Sequence, residues 1–351
     1  MGSFMGFVAG WAPQVVASYE SPGQAAKALL WKPIPWFAGC VIECELIEAV
    51  RPLLPTNDFV VTGAGDDCAV LEFGAPDTQT LFKTDAVVEG IHFMTDAPAE
   101  RIGRKALARA LSDIAAMGGT PTAALVALGM PKGMDSARLT GIYRGLNALA
   151  AMHQVAVVGG ETTSSPERLF LSISLLGTVP RGKAVLRSGA IEGDGLFVTG
   201  ELGGSIEGKH FDFEPRLLEG RWLAGTEAVS AMMDVSDGLA SDLPKLLDAS
   251  RVRGAELMRT AIPISRVARE RERRGDLSRP AIVSALCDGE DFELLFTVRR
   301  GHSVALLDGW KVRFPGLALT CIGRVTAEPG IWIKGPDGVR PLTAKGYEHC
   351  S

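Results

Sequence analysis

Acidic residues recur along this sequence where a hydrophobic run stops: Gly65-Asp66-Asp67, Thr84-Asp85, Ser112-Asp113, Gly160-Glu161-Thr162, Asp234-Val235-Ser236-Asp237-Gly238 and Gly289-Glu290-Asp291. Carboxylates are hard oxygen donors of the kind magnesium takes, one or two at a time, together with substrate phosphates. A polyphosphate cannot settle against several carboxylates unless divalent ions lie between them. The pattern therefore suggests several Mg2+ ions bridging a phosphoryl donor and offsetting the charge that develops during transfer. The adjacent glycines let backbone N–H groups approach phosphate oxygens. One Asp beside one Gly is most often a turn or helix-cap residue, and Asp66 fits that reading. Repetition at strand ends in both halves of the chain is what favours a ligand site, because open α/β folds place ligands there.

Other chemistries find less support. Gly177 to Lys183 has the spacing of a phosphate-binding loop, but Ala184 stands where a hydroxyl should meet magnesium, so a plain turn is expected. No GxGxxG follows a strand and no GxSxG appears, which argues against a dinucleotide fold and a serine hydrolase. The six cysteines form no CxxC pair, so neither a zinc site nor a disulfide framework is indicated. His92 is one of five histidines; an ordinary surface histidine is the slightly favoured reading, and only its place at the end of a strand in a motif-dense stretch argues otherwise. The formal net charge of -5 gives no reason to expect a nucleic-acid partner. The basic run 269–274 is interleaved with Glu270 and Glu272 and reads as a solvated helix face.

The elements that must position these residues alternate between strand and helix, the signature of an α/β protein. Strands are expected at 59–61, 69–73, 81–88, 121–130, 155–158 and 169–176, with helices at 99–117 and 135–152. In the first helix Ile102, Leu107, Leu111 and Ile114 make one apolar face, with Asp113 beside it. The pattern restarts after residue 180: strand 196–199, helix 216–231, strand 232–235, helix 239–249, and strands at 291–298, 318–325 and 331–333. Two α/β domains are expected, 44–182 and 183–351, preceded by an extension over 1–43 that lacks sustained periodicity and is expected to be poorly ordered. That extension lacks the basic start of a secretory signal, and no run of 18 apolar residues suggests a membrane span. A cytoplasmic protein with no membrane partner is the expectation.

In this order the motifs resemble the thiamine-monophosphate kinase family, part of the ATP-binding superfamily that includes aminoimidazole ribonucleotide synthetase. The matching stretches are Gly65-Asp66-Asp67-Cys68-Ala69-Val70, the run from Thr84 through His92 to Phe93, Leu111-Ser112-Asp113-Ile114, Gly159-Gly160-Glu161-Thr162-Thr163, Asp234 to Leu239, and Gly289 to Leu295. The resemblance spans about residue 45 to the C-terminus. It implies direct transfer of the γ-phosphate of ATP to thiamine monophosphate, two α/β domains, and a homodimer formed through the mixed sheet of the first. It implies Asp67, Thr84, Asp85, Asp113, Glu161, Asp234 and Asp237 as magnesium ligands. Tyr143, Gly160, Glu161, Arg187 and Ser236 would face ATP, while His92, Glu290 and Tyr347 would face the thiamine side. No residue is required as a general base, because the acceptor is already an ionised phosphate.

Three features depart from the family pattern: Glu161 where Asp is usual, Asp288 where Gly is usual, and a short segment between Gly204 and Arg216. The competing readings are another enzyme of the superfamily, such as aminoimidazole ribonucleotide synthetase, selenophosphate synthetase or the hydrogenase-maturation type, and a non-catalytic nucleotide-binding scaffold.

Overall fold

Helix α1 (Ala99–Ala116) buries nearly every residue from Ile102 onward, polar ones included. An amphipathic surface helix would bury one stripe only, so α1 must be covered on several sides. The computed structural model, which describes residues 51–275 and 279–343, shows how. These residues belong to one compact unit built on two mixed sheets.

The first sheet comprises β1 (Val60–Thr62), β2 (Ala69–Leu71), β3 (Thr78–Val88), β4 (Thr120–Met130), β5 (Ala156–Ser164) and β6 (Phe170–Pro180), in the order β1-β2-β3-β6-β4-β5. Only the β4/β5 pair is parallel. Helix α2 (Ser136–Met152) crosses from β4 to β5, opened by Asp135, whose side chain accepts from the Ala137 N–H. It lies against α1 at very short range. A Cβ added at Gly103 would come within 1.8 Å of the Ile142 carbonyl oxygen, and one at Gly145 within 1.8 Å of the Glu100 carbonyl oxygen. Alanine cannot be accommodated at either position without separating the helices.

The second sheet comprises β7 (Gly195–Thr199), β8 (Val229–Asp234), β9 (Gly254–Met258), β10 (Leu294–Val298), β11 (Leu319–Thr326), β12 (Gly330–Gly335) and β13 (Gly338–Pro341). Its order is β13-β12-β9-β11-β7-β10-β8, and only β9/β12 is parallel. Helices α3 (Leu217–Ala224), α4 (Leu239–Ala249), α5 (Arg266–Arg273), α6 (Ala281–Cys287) and α7 (Ser303–Arg313) connect these strands. Helix α1 packs against β3 and β6 of the first sheet and against α3 and β8 of the second half. Its polar residues therefore lie where the two halves meet.

Several expected elements need correction. The helix expected over 216–231 ends at Ala224, because Gly225 caps it and Thr226 Oγ1 donates to the Leu223 carbonyl at 2.7 Å. The β-branched Val229 then opens β8, which pairs antiparallel with β10. Strand β5 continues through the Gly159-Gly160 pair to Ser164. Gly160 is needed there, since a Cβ would meet the Val126 carbonyl oxygen at 1.9 Å. Residues 181 and 182 form the plain turn expected of the false phosphate loop, with Arg181 paired to Glu72. The basic run falls on α5 and its end, where Glu270 pairs with Arg266 and Arg274. The extension 1–43 and Tyr347 lie outside the described residues. Among the described residues, no helix is long and apolar enough to cross a membrane.

Candidate active site

Three carboxylates converge from different elements: Asp67 from the turn before β2, Asp113 from α1, and Asp234 from the end of β8. All three are buried, and each offers an oxygen within 4.8 Å of the others. Buried carboxylates so close repel one another unless a cation or proton intervenes. Burial, with Asp67 close by, pushes Asp234 up to about 7. Burial also pushes Asp113 well above the usual carboxylate range, against the pull of Lys83. Ser112 Oγ donates to Asp234 Oδ2 at 2.6 Å and fixes that carboxylate's rotamer. A set of hard oxygen donors at this separation fits a divalent cation of the magnesium type.

Cations surround this cluster. Arg187 grips both carboxylate oxygens of Asp67 through one edge of its guanidinium, with Nη2 2.7 Å from Oδ1 and Nε 3.2 Å from Oδ2. The backbone N–H of Arg187 donates to Asp66, so the two neighbouring acids divide the work of holding one arginine. Lys83 Nζ lies 3.1 Å from Asp113 Oδ2. Arg109 donates from Nε to Asp85 Oδ2 at 3.1 Å and from Nη1 to Glu290 Oε1 at 3.0 Å. Burial would raise Asp85, but Arg109 and Lys83 outweigh it and hold its carboxyl below the usual range.

A second constellation surrounds Glu290. Lys105 is wholly buried and donates to Glu290 Oε2 at 2.7 Å and to the His92 carbonyl at 2.6 Å; its Nζ also lies 2.7 Å from His210 Nδ1. Burial would raise Glu290, but hydrogen bonding by His210 and the charges of Lys105 and Arg109 bring it down to about 2. Burial pulls the Lys105 ammonium down to about 8 despite Glu290. Glu290 is held at φ +54°, a conformation that L side chains adopt only when the surroundings enforce it. The enforcement is visible: Glu290 N donates to the Ser236 carbonyl at 2.6 Å, and Phe292 N to the Val235 carbonyl at 2.8 Å. The loop after β8 and the loop before β10 are thus laced together. His92 and His210 line a common cleft of about 310 Å³, bordered by Phe93, Met94, Ile206 and Phe211.

The structure therefore gathers Asp67, Asp85, Asp113, Asp234, Arg187, His92 and Glu290 into one neighbourhood. Ser236 and Asp237 follow Asp234 in the next loop, where their backbone N–H groups donate to Asp242 Oδ2 at 3.0 and 2.9 Å and Lys245 pairs with both Asp237 and Asp242. Thr84 does not join the cluster through its hydroxyl. Strand side chains alternate, and its Oγ1 lies on the opposite sheet face within 3.2 Å of Ser172 Oγ. Glu161 is exposed on strand β5, its carboxylate accepting from the N–H of Thr162. Tyr143 is half-buried on α2 against the first core. Asp288, the extra charge near Glu290, is absorbed by Arg279 at 2.7 Å and by the N–H of Gly204 at 2.9 Å.

Sequence reading missed Lys83, Lys105, Arg109 and His210. For two of them a signal existed, since Lys105, Arg109 and Asp113 recur every fourth residue and so share one face of α1.

The fold and site place this chain in a defined class. Residues 65–179 match the family model of the AIR synthase related protein, N-terminal domain. The chain is 39% identical over 78% of its length to the thiamine-monophosphate kinase of Rhodopirellula baltica, covering 86% of that protein. It is 36% identical over 83% of its length to that of Escherichia coli K12, covering 92% of it. Among solved structures, one described as AaThiL complexed with AMPPCP and TMP matches with TM-score 0.70 and 31% identity, over 88% of this chain and 97% of that one. The thiamine-monophosphate kinase from Stenotrophomonas maltophilia matches with TM-score 0.66 and 33% identity, over 83% and 96% respectively. This chain belongs to the thiamine-monophosphate kinase family. The hydrogenase-maturation protein HypE shares the fold at 20% identity, with TM-score 0.65 over 87% of this chain and 98% of HypE.

Proposed function

We propose that this protein transfers the γ-phosphoryl group of ATP to the phosphate of thiamine monophosphate, yielding thiamine diphosphate and ADP. The observation that carries the reading is the buried convergence of Asp67, Asp113 and Asp234 in a chain of this family. A family member crystallised with AMPPCP and TMP supports the pair of substrates.

In this reading the bond between the γ-phosphorus and its bridging oxygen breaks as an acceptor phosphate oxygen attacks from the opposite side. Bound Mg2+ ions, held by Asp67, Asp113 and Asp234 with Asp85 beside them, supply charge neutralisation for the phosphates. Arg187 leaves one carboxylate edge to meet phosphate oxygens in the bidentate manner that guanidinium groups favour. His92 and Glu290 receive the thiamine portion, Glu290 being kept ionised and oriented by Lys105, Arg109 and His210. Because the acceptor is already an anion, catalysis rests on positioning and electrostatics rather than on a base.

The finer expectations belong to the same proposal: Asp237 and Glu161 as further metal ligands, Thr84 as another through its main-chain oxygen rather than its hydroxyl, Tyr143, Gly160 and Ser236 against ATP, Tyr347 against the thiamine, a cytoplasmic location, and domains over 44–182 and 183–351. A homodimer through the first sheet is supported by that sheet's uncovered face. Phe82 and Leu176 stand opposite each other there, 43% and 38% exposed, beside Leu125 at 47%.

The test is chromatographic: purified protein, ATP, magnesium and thiamine monophosphate should give thiamine diphosphate, and EDTA should abolish it. ADP release only with a formylglycinamidine or selenide substrate would overturn the assignment.

A further inference from the structure

The acidic centre contains a cation of its own. Lys83 lies in β3, flanked by β6 across its whole length and by β2 up to the Ala69/Phe82 pair. Its backbone is therefore fixed by the sheet, and alternation sends its side chain to the same face as Leu81 and Asp85, beneath α1. There its ammonium meets Asp113 Oδ2 at 3.1 Å. Asp113 is one of the three residues whose oxygens converge within 4.8 Å.

The charges can be followed one by one. Four carboxylates gather here, and three carry a cationic partner: Asp67 has Arg187, Asp85 has Arg109, and Asp113 has Lys83. Asp234 has the Ser112 hydroxyl instead. The three cations differ in what holds them. Arg187 comes from the connection between β6 and β7, outside either sheet, on a long side chain that can change partner. Arg109 is shared with Glu290. Lys83 alone stands on a central strand and points its charge into the triad. A divalent ion bound to the same edge of Asp113 would sit a few ångströms from that ammonium and be strongly repelled.

We propose that Lys83 occupies, as a built-in cation, the position at Asp113 that a divalent ion would otherwise take, so that the centre holds one divalent ion fewer than its carboxylates would permit. This rests on the reading of the cluster as a metal centre. A tethered ammonium costs no association entropy and is present at any magnesium concentration. It therefore reduces the number of free ions the site must collect, while lending positive charge to the same region.

The test counts bound Mn2+ by equilibrium dialysis, with paramagnetic resonance reporting the free ion, in the presence of a non-hydrolysable ATP analogue. Lys83→Met should bind one more Mn2+ per chain than the unmodified protein, and Lys83→Arg should bind the same number as the unmodified protein. Equal counts for Lys83→Met and the unmodified protein would overturn the proposal while leaving the metal centre in place. Absence of Mn2+ binding by either protein would overturn the metal reading as well. Folding is checked by circular dichroism, and should Lys83→Met fail to fold, the same count on Lys83→Gln decides.

Discussion

Lys105 and Glu290 lie 185 residues apart in sequence and 2.7 Å apart in space, and the lysine that makes this contact is entirely withdrawn from solvent. Removing one partner of such a buried pair leaves an uncompensated charge. Lys105→Met should lower unfolding stability by about 3 kcal/mol, near the low end for buried pairs because Arg109 and His210 still hold Glu290. The KM for the thiamine phosphate should rise while that for ATP stays near its original value. Denaturant titration and steady-state kinetics check both.

Asp234→Asn should separate activity from stability. The variant keeps an acceptor for the Ser112 hydroxyl but loses a charge that the proposed mechanism assigns to metal binding, so turnover should fall by at least about 100-fold. The metal-free protein should melt no lower than the original, since a buried carboxylate repelled by Asp67 has gone. A parallel collapse of melting temperature would show that Asp234 is a folding residue instead.

Stability should depend on pH with opposite signs in two windows. Burial raises Asp291 from its ordinary 3.8 to about 7, so the folded state binds its proton more tightly than the unfolded state. That contribution is fully present below 3.8 and is lost as pH rises through about 7. Glu290 is depressed from 4.5 to about 2, so its contribution is present above 4.5 and lost as pH falls toward 2. Melting temperatures of the metal-free protein should decline from pH 5 to pH 8, and Asp291→Asn should flatten that decline.

Gly103→Ala probes the seat of α1. The added methyl would press on the Ile142 carbonyl and separate α1 from α2. A loss of about 1–3 kcal/mol is expected. Because Ser112 and Asp113 ride on the same helix, turnover should fall beyond what the unfolded fraction explains.

How far the sequence alone could be read depended on what each residue must do. Acids at strand ends advertise themselves, because Gly and Asp interrupt hydrophobic runs, and Asp67 and Asp234 were legible for that reason, while Asp113 stood out as an acid beside the apolar face of a helix. The alternation of strand and helix in the first half was equally plain. Buried cations were not: Lys83, Lys105 and Arg109 resemble surface residues until their partners arrive from distant segments. The helix expected through residue 231 absorbed the first half of β8, Val229 to Ala231, because an apolar stretch suits either structure and only Gly225-Thr226 marked the break. Thr84 shows an inference that was open but not drawn. Neighbours on a strand face opposite ways, so Thr84 and Asp85 cannot present their side chains to one cluster.

The lacing of the loop after β8 to the loop before β10, and the entry of Asp234 beneath α1, also set an order in time. The chain emerges from its N-terminus during synthesis, so Asp67, Asp85 and Asp113 leave the ribosome while Arg187, Asp234 and Glu290 are still inside it. A nascent chain at that stage owns most of the acids and none of the closing partners. The centre becomes competent only when the second sheet docks, so an unfinished or truncated polypeptide has no working site with which to consume ATP.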